Sequence, residues 1–131
     1  MSLCKGKGCR SWIRRNHFYC YDCWADLMER LCDKVDRIAI GAEEIYIGRT
    51  CDPDARREEH FEDAGRGNLT VLHWSDDIDE VCAIEEALIR EVADSRKLAN
   101  ATDESLGAGR PELRNCLYVS WRRKGWRTGR W

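Results

Sequence analysis

Apolar residues recur at helical spacing from Trp24 through Leu27, Met28, Leu31 and Val35 to Ile38, forming one continuous stripe. This pattern predicts an amphipathic helix with Asp22 as its N-cap and Gly41 as its stop. Ile45-Tyr46-Ile47 reads as a strand that Gly48 ends or bulges. Asp52 then caps a helix with Pro53 at its first position, where the missing N–H costs nothing. Leu69 to Trp74 reads as a further strand. Ser75-Asp76-Asp77 offers N-caps to a helix whose apolar positions are Ile78, Val81, Cys82, Leu88, Ile89 and Val92. Residues 95–115 are polar and glycine-containing, long for a loop in so short a chain, and Cys116 to Trp121 alternates as a closing strand. Together these elements predict an α+β fold, a small, mostly antiparallel three-stranded sheet flanked by helices.

Two positions stand out against this pattern. Glu85 completes the third helix's apolar stripe, seven residues after Ile78 and seven before Val92. A carboxylate on an apolar face is costly to bury unless it is paired or bound to a metal. Its neighbours Glu80, Glu86, Arg90 and Glu91 lie off the stripe and read as surface charge. In the second helix Arg56 and His60 are four apart and share a face. Strand alternation turns Tyr46 away from Ile45 and Ile47, so a tyrosine, an arginine and a histidine approach one place.

With 131 residues, 35% charged and 43% hydrophobic, the chain suits one small globular domain with a satellite module. No apolar run approaches the ~20 residues of a membrane span, and Met1 to Gly6 lacks a signal peptide's apolar core. The expectation is an intracellular, non-secreted protein without a membrane partner. In that setting eight cysteines favour metal over disulfides. Cys4-x4-Cys9 and Cys20-x2-Cys23 form two knuckles that predict a closed structural Zn²⁺ site. Gly6 and Gly8 fall where a thiolate-presenting turn needs positive φ, and His17 competes for a ligand place. A segment of this size buries too little surface to fold unaided, so the metal would supply the missing stability.

The expected organisation is a zinc module over residues 1–32 leading into the linking helix, a main domain over 33–121, and a basic tail over 122–131. The net charge of −2 advertises no global basic field. Local bases are nevertheless available to touch a nucleic-acid backbone: Arg10, Arg14 and Arg15 beside Trp12, then Arg49, Arg57, Arg122, Arg123 and Lys124.

The residues from Ala42 to Trp121 resemble the GIY-YIG nucleases. Ile45-Tyr46-Ile47-Gly48 is similar to the YIG element, followed by Thr50 and Asp52-Pro53. Arg56 and His60 fall ten and fourteen residues after that tyrosine. Glu85 lies in Glu-x-x-Leu-Ile, the setting of the family's metal-binding glutamate, and Asn100 fits its late asparagine. The resemblance implies a divalent-metal-dependent endonuclease acting on DNA. In it Tyr46 would be the general base, Arg56 would stabilise the transition state and Glu85 would bind Mg²⁺ or Mn²⁺. His60 or the metal's field would help Tyr46 lose its proton, and Asn100 would orient the glutamate or its loop. With one such site, cutting both strands would need a second copy on the duplex, or two visits. One element departs from the family: its first strand carries a second tyrosine about ten residues before YIG, and Val35 to Gly41 contains none; in the resemblance Ile38-Ala39-Ile40 would be a degenerate form of that strand, in conflict with the helix that the apolar stripe predicts. Either another group takes that place or activity is altered or lost. The alternative to a nuclease is an inactive nucleic-acid-binding module, or a zinc-dependent interaction module, on the same fold.

Overall fold

A computed structural model describes residues 2–13, 17–93, 97–99, 110 and 112–124. In chain order these form β1 (Ser2–Leu3), β2 (Trp12–Ile13), α1 (Tyr21–Gly41), β3 (Ala42–Thr50), α2 (Pro53–Ala64), β4 (Asn68–Ser75), α3 (Ile78–Glu91) and β5 (Asn115–Arg123). The architecture is α+β. β1 and β2 pair antiparallel in a two-stranded ribbon, and the main sheet is three-stranded and antiparallel in the order β3-β5-β4. The last strand among the described residues is therefore the central one. Among the described residues no helix is long and apolar enough to cross a membrane.

Helix α1 buries Leu27, Leu31 and Val35, the middle of the expected stripe. Its N-cap is Cys20, with Asp22 in the first turn, because the chain enters the helix directly from the cysteine knuckle. The helix runs through Ile38-Ala39-Ile40, so no strand forms there: Ile38 packs on the core while Ile40 is exposed. It also crosses the expected boundary at residue 32 without a break.

Gly48 lies inside β3 rather than at its end. Its register partner is Tyr118, and a Cβ on Gly48 would stand 2.6 Å from the Tyr118 hydroxyl and 2.9 Å from Tyr46 Cε1. The glycine lets a tyrosine ring lie flat across the neighbouring strand.

Alternation gives the sheet two different faces. Ile45 and Ile47 of β3 with Leu117 and Val119 of β5 join Leu27, Leu31, Val35, Val81, Ile84 and Leu88 in one core beneath α1 and α3. Ile84 is fully buried although the expected α3 stripe omitted it, and Glu80 is buried where surface charge was expected. The opposite face carries Tyr46, Gly48, Tyr118 and Ser120, with α2 over it. Asp52 caps α2 by accepting from the Ala55 N–H, Pro53 opens the helix, and Gly65, at φ 72°, closes it.

Part of the expected 95–115 loop is used structurally. The Ile45 N–H donates to the Lys97 carbonyl and the Ala99 N–H to the Ile45 carbonyl, so residues 97–99 line the outer edge of β3 and bury Leu98. β5 continues through Arg123, which moves Arg122 and Arg123 from the tail into the sheet.

Candidate functional site

At the N-terminus the ligating atoms of Cys4, Cys9, Cys20 and Cys23 all lie within 4.8 Å of one another. A tetrahedron with Zn–S bonds of ~2.3 Å has edges of about 3.8 Å, and Cys9 and Cys20 stand 3.9 Å apart. The Gly6 and Cys20 N–H groups donate to Cys4 Sγ at 3.3 and 3.1 Å, as knuckle amides do toward a thiolate. Gly8 has positive φ (76°). Gly6 is needed for space instead, since its Cβ would meet Cys23 Sγ at 2.4 Å.

Four sulfurs this close share charge poorly. Hydrogen bonds from Ser11 chiefly hold the Cys9 thiol down at about 6, whereas hydrogen bonding with Cys20, Cys4 and Cys9 pushes Cys23 up. A divalent cation would allow all four to ionise, so the sulfur set fits a metal such as zinc. His17 is exposed and outside the set. Among the described residues this is the only group of three or more His, Cys, Asp or Glu that can hold an ion.

The module is tied to the main domain through Glu80. Its carboxylate accepts from Lys5 Nζ at 2.7 Å, the Tyr19 hydroxyl at 2.6 Å, His73 Nε2 at 2.7 Å and Ser75 Oγ at 2.9 Å. Burial alone would raise this carboxyl. The hydrogen bonds from His73, Lys5, Tyr19 and Ser75 outweigh burial and hold it at about 2.

The second cluster forms on the α2 face of the main sheet. His60 Nε2 lies 2.7 Å from the Tyr118 hydroxyl, deep in the fold. The Tyr46 ring lies against the His60 ring with centroids 4.6 Å apart, and stacks on Tyr118 at 6.4 Å. Arg56 bears on Tyr118 by its charge, and its Nη1 donates to Glu59. Its buried Nε has no hydrogen-bond partner among the described residues. Burial pushes the Tyr118 hydroxyl above its usual range; Arg56 opposes this by its charge, and Tyr46 and Glu85 add to the rise.

Tyr46, Arg56 and His60 are thus brought together, around a residue that sequence reasoning missed. Tyr118 was legible only as part of an alternating strand. The signal that would have found it is Gly48, a glycine inside a strand, which marks the close approach of another group.

Glu85 stands elsewhere. Alternation turns Arg49 toward α3, where its Nη1 meets Glu85 Oε1 at 2.7 Å. Glu85 is therefore buried and paired, although its charge still reaches Tyr118. Asn100, Arg14 and Arg15 lie outside the described residues. Arg10, Arg57, Arg123 and Lys124 are exposed. Arg122 is turned inward, to Glu44 at 3.2 Å and the Ala64 carbonyl at 3.1 Å. No family model, curated protein or solved structure matches the chain.

Proposed function

We propose that the protein is a GIY-YIG-like, divalent-metal-dependent endonuclease that hydrolyses DNA phosphodiesters on the α2 face of its main sheet. The observation that carries this reading is the half-buried Arg56, whose Nε lacks a hydrogen-bond partner among the described residues while its charge acts on Tyr118, the ring on which Tyr46 stacks. A partly exposed guanidinium with an unspent donor fits an anion of fork-like geometry, and phosphate is the natural one. The tyrosine that the first strand does not supply is contributed by β5: Tyr118 lies opposite Gly48, on the face of Tyr46.

In this reading Tyr46, the more accessible of the two tyrosines, takes the proton of the attacking water. Arg56 stabilises the charge gathering on the phosphoryl oxygens. Tyr118 is a positioning residue that anchors Arg56 and His60. Glu85, whose charge reaches Tyr118, would hold Mg²⁺ or Mn²⁺ only once its pair with Arg49 opens; a bound ion would neutralise phosphate charge and assist the leaving oxygen. The zinc module and the exposed bases Arg10, Arg57, Arg123 and Lys124 would contact the backbone. The Arg49–Glu85 pair supports a second reading, a nucleic-acid-binding module that does not cut.

Supercoiled plasmid incubated with Mg²⁺ or Mn²⁺ separates the two. Wild type should nick it and Glu85→Ala should not. Equal nicking by both, meaning a contaminant, would remove the enzyme reading.

A further inference from the structure

The way Arg66 meets His60 fixes what that histidine can do. Gly65 ends α2 in the left-handed conformation, and the next residue folds back beneath the helix, its N–H donating to the His60 carbonyl. Arg66 is thereby buried, with Nη2 3.0 Å from His60 Nδ1, Nη1 bonded to Glu44, and its guanidinium 5.1 Å over the Tyr46 ring. Glu44 is itself held by Arg122. A guanidinium is only a donor, so His60 Nδ1 accepts. A neutral imidazole with Nδ1 accepting carries its proton on Nε2, and that proton is donated to the Tyr118 oxygen.

We infer that Arg66 is a positioning residue that locks His60 as an Nε2–H donor to Tyr118, so that His60 holds the site together and takes no proton during the reaction. Both ring nitrogens are engaged, Nδ1 with Arg66 and Nε2 with Tyr118, and the Tyr46 ring lies against the imidazole, tilted by 51°. The Tyr118 oxygen, accepting from His60, keeps its own hydroxyl proton as the one it can give away. The charged and titratable groups facing His60 are Arg66 and Arg56, which disfavour an imidazolium, Asp63 and Glu59, which favour it, and Tyr118 and Tyr46 from the sheet. Burial together with the two arginines holds the ring near 4, so it is neutral across the working range. The assignment of a role in catalysis rests on the nuclease reading, but the tautomer does not.

The test is ¹⁵N NMR of protein labelled at histidine, read from pH 4 to 8. His60 should show the Nε2–H tautomer, with an unprotonated Nδ1 that does not titrate between pH 6 and 8. Arg66→Met should release Nδ1, giving mixed tautomers and an apparent pKa raised toward the ordinary value, and Arg66→Lys, which restores a donor, should largely return the wild-type spectrum. An Nδ1–H tautomer or an imidazolium at pH 7 in the wild type would overturn the inference even if Arg66→Met failed to fold. In cleavage assays His60→Gln keeps an N–H donor but no base. Whatever its rate, its pH profile should match that of the wild type, whereas loss of a general base would remove a pKa from the profile. If the wild type shows the Nε2–H tautomer but cuts no DNA, the nuclease reading fails and the Arg66–His60 lock stands.

Discussion

Replacing Glu80 with alanine strikes the joint between the cysteine module and the main domain. Glu80 holds four donors from two places: Lys5 and Tyr19 in the module, and His73 and Ser75 in β4. Without the carboxylate, Lys5, whose side chain is 41% exposed, returns to water. The Tyr19 and Ser75 hydroxyls are less able to do so, and each unpaired buried donor costs about 1–3 kcal/mol. The loss should therefore be about 3–4 kcal/mol. The carboxyl's own pKa gives an independent figure: a drop from 4.5 to about 2 corresponds to roughly 3 kcal/mol of preference for the charged form in the fold. For a chain of 131 residues this lowers Tm by about 10–20 °C.

The assay is urea and thermal unfolding of wild type, Glu80→Ala and Glu80→Gln at pH 7. Glu80→Gln should fall between the other two, since its carbonyl can still accept from one pair of donors. A folded carboxyl pKa depressed below its unfolded value contributes stability above pH 4.5 and loses it as pH falls toward about 2. The gap between wild type and Glu80→Ala should shrink over that window. A loss below about 1 kcal/mol at pH 7 would refute the idea that this carboxylate carries the joint.

Three further outcomes are expected. Gly48→Ala, forced against Tyr118 and Tyr46, should cost about 1–3 kcal/mol in urea unfolding, and a neutral result would mean the rings move aside freely. Because His60 is held near 4 rather than 6.5, stability is complete above pH 6.5 and falls as pH drops toward 4, by at most about 3 kcal/mol; in His60→Gln the acid slope over that window should flatten. Elemental analysis should find about one zinc per chain and clearly less in Cys23→Ser, with chelation raising hydrogen exchange in residues 2–13 and 17–23; zinc well below one per chain in the wild type would remove the metal site.

Local rules reached far into this fold. The stripe of α1, the Asp52-Pro53 opening of α2 and the alternation of β3 were legible because each depends on neighbours within a few residues. The cysteine spacing likewise foretold a cluster that closes in three dimensions. What escaped depends on distant contacts. Glu80 reads as surface charge on α3 until β4 brings His73 and the N-terminal module brings Lys5 and Tyr19. Arg66 looks like part of a turn until Gly65 reverses the chain under α2. Tyr118 gains meaning only when β5 takes the centre of the sheet, a pairing between residues about seventy apart that no local periodicity encodes. Glu85 was singled out correctly as a carboxylate needing a partner, but the partner, Arg49, sits on the sheet face opposite Tyr46.

The central claim, that Tyr46 activates water for phosphodiester cleavage, is tested most directly by single-turnover cleavage of a labelled duplex by Tyr46→Phe, with DNA binding measured alongside. The substitution removes one oxygen from a half-buried ring and leaves its ring contact with His60 intact. Cleavage should fall by about a hundredfold to ten-thousandfold while DNA affinity is unchanged. Cleavage by Tyr46→Phe at the wild-type rate would contradict the account.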